Sequence, residues 1–114
     1  MRRGEIWTVS GGGDYAGKPR PVVIIQDDNF DATLSMTVCA FTTDETEAPL
    51  FRLTVLPNPR NGLRQASRLM VDKITTVAKS KLGARIGQLD APDLVRLNQA
   101  MLVFLGLARS PGAR

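Results

Sequence analysis

The sequence contains no histidine. That removes the side chain whose unperturbed pKa lies nearest neutrality, so any acid–base chemistry has to run without imidazole. The one cysteine, Cys39, lies in the apolar segment MTVCAF. A lone thiol excludes an intrachain disulfide and a cysteine-based metal cluster, and its expected role is that of a small buried hydrophobe. No metal or other cofactor is expected. No apolar run approaches the roughly 18 residues of a membrane span, so no membrane partner is expected either. The opening MRRGEIW carries two arginines, but Glu5, Thr8 and Ser10 interrupt any apolar stretch after them. It does not read as a signal peptide, and a cytoplasmic location is expected. Aromatic residues are also scarce, at 5% of the chain.

What is present is an ordinary globular balance, with 43% hydrophobic and 23% charged residues in 114. This length suits one core, and a single domain is expected over residues 1–108, with 109–114 as a disordered tail. The net charge is +4. Its distribution says more than the sum, because Asp44, Glu45 and Glu47 bunch while Arg52, Arg60, Arg64, Arg68 and Lys73 follow with no acid before Asp72. Such a stripe is either a phosphate-attracting surface or a solvated face.

Patterning predicts strands in GEIWTVS, in the β-branched run PVVIIQ opened by a proline, in SMTVCAFTT and in LFRLTVL. SRLMVDKITTV predicts a fifth strand that bends or ends near Asp72, and ARIGQL a short sixth. Between the first two lies GGGDYAGKPR, a connecting loop, and PNPRNGLRQ reads as a turn or long hairpin loop. A helix is predicted from Asp90 as N-cap, with Pro92 in its first turn, Asp93 completing a capping-box-like pair and Gly106 as its stop. Its apolar face, Leu94, Leu97, Met101, Leu102 and Leu105 widened by Val103 and Phe104, predicts packing over a barrel end or at a subunit interface. The fold class is therefore mainly β with a C-terminal helix.

Two familiar chemistries fail on inspection. GGGDYAGKPR has glycines and Lys18, but a Walker-type lysine precedes Ser or Thr at a helix start, and here a strand begins instead. Asp27 and Asp28 are adjacent at a strand end, where a turn and a helix cap explain them. Arg20 is different, because Pro19 and Pro21 restrict the backbone around one guanidinium at a strand mouth. Residue physics alone favours a structural salt bridge there, since an arginine fork serves carboxylates as readily as phosphates.

The segments RRGEIWTV, GKPRPVVII, TVCAFTT and SRLMVDKITTV, followed by RIGQL and LVRLNQAMLVFLGL, resemble in order and spacing the MazF/PemK family of bacterial toxin ribonucleases across residues 2–107. The resemblance implies a small SH3-like β-barrel of the MazF/PemK/CcdB type, acting as a homodimer. It also implies a toxin of a type II toxin–antitoxin system: an mRNA interferase, a hydrolase that inhibits growth by metal-independent, sequence-specific cleavage of single-stranded RNA. The cognate antitoxin is expected to cover the RNA groove with its C-terminal segment. Two alternatives stand beside this, a CcdB-like poison of DNA gyrase without nuclease activity and a catalytically inactive RNA-binding homologue.

By the same resemblance, Arg20 matches the family's catalytic arginine, Thr42 the hydroxyl residue at the end of the third strand, and Asp72 an acidic active-site position. Ser67 lies at the entry to the strand that carries Asp72 and is a candidate RNA contact. Asp14 stands six residues before Arg20, where other members carry histidine or serine, and Met70 replaces a second arginine. The histidine-dependent mechanism is thereby unavailable. What remains is attack of a ribose 2′-hydroxyl on phosphorus to leave a 5′-hydroxyl. Arg20 would stabilise the phosphorane, Thr42 would donate to the same phosphate, and either Asp14 or Asp72 would act as base. For holding RNA, Tyr15 and Phe30 are the candidate stacking residues, with Lys18, Arg52 and Lys73 as phosphate contacts. Trp7, Phe41, Phe51 and Phe104 follow strand or helix periodicity and are expected in the core.

Overall fold

In the computed structural model, which describes residues 1–10 and 18–109, an alternation of apolar residues on both faces builds one strongly bent sheet. Its strands are β1 (Glu5–Val9), β2 (Arg20–Ile24), β3 (Ser35–Thr42), β4 (Arg52–Val55), β5 (Ser67–Met70), β6 (Thr75–Ala78) and β7 (Leu82–Gln88). The order is β4-β5-β3-β2-β1-β7, and β6 pairs separately with β3. All the pairings are antiparallel. Among the described residues no helix is long and apolar enough to cross a membrane.

Strand β3 holds this arrangement together. One of its edges meets β2, with Val22 opposite Ala40 and Ile24 opposite Val38. The other edge is shared: Ser35 to Val38 pair with β6, whereas Phe41 and Thr42 pair with β5. The segment SRLMVDKITTV therefore cannot run as one strand along β3. It breaks at Val71–Lys73 into a 3₁₀ turn, where the sequence led us to expect a bend. The last strand is also longer than expected, because β7 starts at Leu82 and follows β1 with register shifts on either side of Trp7.

Because side chains alternate across a strand, β1, β2 and β3 feed two cores at once. Ile6, Val23, Cys39 and Phe41 join Leu53, Val55, Leu69 and Val71 on one face. Val9, Val22, Ile24, Met36, Val38, Ala40 and Leu82 pack on the other, with Trp7 and Met70 beside them. Cys39 is buried as expected, and burial pushes its thiol pKa up to about 12.

Helix α1 (Ala91–Phe104) covers the first core with Leu97 and Ala100 fully inside and Leu94 and Met101 alongside. Asp90 is its N-cap residue, but its side chain makes no capping bond; it accepts from Asn58 Nδ2 at 3.4 Å, and Asp93 accepts from Arg96 at 2.8 Å. At the other end Gly106, at φ +75°, closes a Schellman motif in which Gly106 N donates to Val103 O and Leu107 N to Leu102 O. Phe104, expected in the core, is 47% exposed and packs its ring against Phe51 at 5.9 Å. It is the last residue of the helix.

The loop between β4 and β5 is tightly built. Asn61 is 1% exposed; its side chain accepts from the amides of Asn58 and Leu63 and donates to Leu56 O at 2.9 Å. The loop lies against β7, with Gln88 N donating to Arg60 O at 3.0 Å, so it joins one end of the sheet order to the other in a barrel-like closure. Gly62 has φ +70°, and a Cβ there would lie 2.1 Å from Ile86 O. Gly106 has a similar φ but open space around it. Gly106→Ala is therefore expected to cost about 1 kcal/mol, the penalty for a left-handed side chain, and Gly62→Ala at least ~2 kcal/mol more because backbone must move. Urea unfolding of both variants checks this; equal losses would mean that the loop does not seal against β7.

Candidate active site

Pro21 is the second residue of β2, opposite Thr8, and a proline suits the opening of a strand. It leaves Arg20 at the mouth of the sheet, exposed and opposite Val9 of β1. The β2–β3 register, Val22 opposite Ala40, carried two residues further brings Arg20 opposite Thr42. By the same alternation both fall on the face of the second core, away from α1.

Arg20 and Thr42 line a cleft of about 620 Å³ together with Ala40, Met70, Lys73 and Val77. Among the described residues Arg20 makes no ion pair and no side-chain hydrogen bond, so the structural salt bridge favoured by residue physics is not formed with any of them. Thr42 Oγ1 accepts the Asp44 N–H at 3.1 Å, which fixes the hydroxyl and leaves its proton to donate into the cleft. A cation without a carboxylate partner among the described residues and a hydroxyl with a free proton, over an apolar floor, form a receptor for one anionic oxygen centre.

Other residues singled out in the sequence fall in several places. Lys18 lines an adjoining cleft of about 810 Å³ that also contains Arg20. Ser67, at the start of β5, is buried with its Oγ donating to Gln65 O at 3.1 Å, and it lines that same cleft. Arg52 and Asp72 do not line these clefts. They hold each other in a bidentate pair, Arg52 Nε to Asp72 Oδ1 at 2.7 Å and Arg52 Nη2 to Asp72 Oδ2 at 2.9 Å. The Arg52 guanidinium holds the Asp72 carboxyl below the usual carboxylate range and raises its own pKa in turn. Phe30 is 63% exposed on the 3₁₀ turn Asp28–Phe30, which leaves β2 at the end opposite Arg20. It lines neither cleft. Asp14 and Tyr15 lie outside the described residues. Among the described residues no group of three or more Cys, Asp or Glu side chains is placed to hold a metal ion.

Sequence reasoning passed over Thr43, Arg64 and Gln65, which line the larger cleft beside Arg20 and Lys18. Arg64 was visible as one member of a basic stripe, but nothing in the stripe separates it from Arg52 or Arg68, which are ion-paired.

Residues 2–105 match the family described as PemK-like, MazF-like toxin of type II toxin-antitoxin system. The chain is 56% identical over 108 residues to the probable endoribonuclease MazF of Mycolicibacterium smegmatis, covering 95% of this chain and 99% of that protein. It is 29% identical over 116 residues to endoribonuclease MazF9 of Mycobacterium tuberculosis, covering 94% of this chain and 98% of that protein. Among solved structures it is similar to the Mycobacterium tuberculosis toxin MazF-mt6, at TM-score 0.76 and 27% identity over 91% of this chain and 98% of that one. A mycobacterial endoribonuclease in complex with its cognate antitoxin shares the fold at TM-score 0.77, with 22% identity over 96% of this chain and 99% of that one. With a bent antiparallel sheet, a helix on one face and the Arg20–Thr42 cleft on the other, the chain belongs to the PemK/MazF family, the MazF-type endoribonuclease toxins of type II toxin–antitoxin systems.

Proposed function

We propose that this toxin cleaves single-stranded RNA without a metal ion, by attack of a ribose 2′-hydroxyl on the adjacent phosphorus to leave a 5′-hydroxyl, with the phosphate seated between Arg20 and Thr42. The observation that carries this is an arginine with no carboxylate partner among the described residues, opposite a hydroxyl whose proton is free. Charge develops on the non-bridging oxygens as phosphorus becomes five-coordinate. A guanidinium remains protonated throughout and gains most as that charge grows. Lys73 adds a further positive charge to the same cleft.

Asp72 is a poor proton acceptor because both of its oxygens receive hydrogen bonds from Arg52 and its pKa is depressed. Its role is to fix the turn after β5, and Asp14 is left as the carboxylate for proton abstraction. The exposed Leu102, Phe104 and Leu105 support a homodimer, and a related toxin's complex with its antitoxin supports neutralisation by such a partner in the cytoplasm.

The test is single-turnover cleavage of a mixed single-stranded RNA in EDTA, with the new ends mapped. Wild type is expected to cleave and leave 5′-hydroxyls, and Arg20→Lys to lose ~100-fold or more in rate with little change in melting temperature. Loss of wild-type activity on chelation rejects the metal-independent reading. Intact RNA together with inhibition of DNA gyrase puts the CcdB-like reading in its place.

The Arg52–Asp72 pair makes a separate prediction. Its folded-state carboxyl pKa lies below the unfolded value, so its stabilisation is complete above roughly pH 4 and is lost as pH falls through the folded value. At pH 7 Asp72→Asn is expected to lower stability by roughly 1–3 kcal/mol, with the gap to wild type closing toward pH 2. Urea midpoints across that range measure it, and a gap independent of pH would contradict it.

A further inference from the structure

The two clefts that meet at Arg20 differ from a third recess in a way that gives direction to a bound RNA. This step rests on the nuclease reading above. The 620 Å³ cleft is lined by Arg20 and Lys73, and the 810 Å³ cleft by Lys18, Arg20 and Arg64; no carboxylate is among the described residues lining either. The third recess, about 310 Å³, opens from Thr42 and Thr43 between Asp44, Glu45 and Arg68. Its one arginine is occupied, donating to Asp44 O at 3.0 Å and to Glu47 Oε1 at 3.3 Å. An anionic chain leaving Arg20 on this side thus meets positive charge in the larger cleft and acid in the recess.

Arg64 is the cation best placed in the larger cleft. Among the described residues it makes no ion pair and no side-chain hydrogen bond. Its backbone is nonetheless anchored, because it follows the buried Leu63, whose amide donates to Asn61 Oδ1 at 3.0 Å, and Gly62, which lies against Ile86. With the backbone already fixed, only the side chain has to be ordered when the Arg64 fork binds a phosphate. Thr43 and Gln65 line the same cleft and carry side-chain groups able to hydrogen-bond a base or sugar.

We propose that the larger cleft is the subsite for the nucleotide adjoining the scissile phosphate, that Arg64 binds that nucleotide's own phosphate, and that the acid-walled recess stays free of RNA. Arg64 acts in binding, while Arg20 carries the chemistry.

The test pairs protein variants with RNA oligonucleotides of the protein's own cleavage sequence, in which one flanking linkage at a time is a neutral methylphosphonate. Arg64→Ala is expected to raise the half-saturating RNA concentration about tenfold and to reduce the slope of log K against log salt by about 0.7, the value for one single-strand phosphate. The saturated single-turnover rate should stay within about threefold of wild type. Arg64→Lys should keep the salt slope, since it keeps the charge. At one linkage next to the cleaved bond the methylphosphonate should weaken binding to wild type and leave Arg64→Ala unaffected, because the contact is already gone. Equal salt slopes for wild type and Arg64→Ala, or no linkage at which the two losses overlap, overturn the proposal while leaving the nuclease reading intact. A wild-type protein that neither binds nor cleaves RNA overturns both. The linkage scan on wild type alone decides the matter even if Arg64→Ala is unstable, since no sensitive linkage flanking the cleaved bond would mean no phosphate is held there.

Discussion

The division of one edge of β3 between two partners is the constraint on which the rest of the molecule depends. Phe41 and Thr42 pair with β5, Ser35 to Val38 pair with β6, and the chain turns at Val71–Lys73 to pass between them. That turn places Asp72 where Arg52 of β4 can close on it with two hydrogen bonds. It also places Lys73 at the cleft beside Thr42. On the opposite edge the ladder with β2 runs as far as Val22 opposite Ala40, and two residues beyond that pair Arg20 and Thr42 line one cleft. A one-residue slip in either ladder would send Thr42 or Arg20 to the helix-covered face, where an unpaired guanidinium would be buried at high cost.

The two faces of the sheet perform different tasks. One carries α1 and the larger apolar core, with Leu97 inside and Leu53, Leu69 and Val71 around it. The other has a smaller core of Val22, Ile24, Val38 and Ala40, and the clefts open at its rim. Functional groups there sit on strand ends that both cores hold in place. Such backing fixes the backbone position from which the Arg20 fork reaches a phosphate.

Much of this was legible in the sequence because it depends on local chemistry. Pro21 announces a strand opening, the β-branched run after it predicts β2, and Asp90, Pro92 and Gly106 bracket the helix within a residue or so. Arg20 and Thr42 were legible through resemblance, and the register supplies the physical reason that they belong together. What could not be read is non-local. The bond from Gln88 to Arg60 that seats the β4–β5 loop on β7 spans the sheet order, and no pattern within PNPRNGLRQ specifies its partner. The bend near Asp72 was legible in SRLMVDKITTV, but not that the strands on either side of the turn at Val71–Lys73 both pair with β3. Nor does charge in a sequence tell a paired cation from a free one. Arg52, Arg68 and Arg96 are all held by carboxylates, while Arg20 and Arg64 have none among the described residues, and apart from the prolines that flank Arg20 no local pattern separates the two groups.

The central claim is that Arg20 and Thr42 address a single phosphate in the transition state. A double-mutant cycle on Arg20→Lys and Thr42→Val, read as single-turnover cleavage rates at saturating RNA, tests it most directly. Two groups that act on one phosphate are expected to couple, so the double variant should lose clearly less than the product of the two single losses. Losses that simply multiply, or a Thr42→Val enzyme that cleaves at the wild-type rate, would mean that the two side chains do not share a phosphate and that their meeting in the cleft is not the active site.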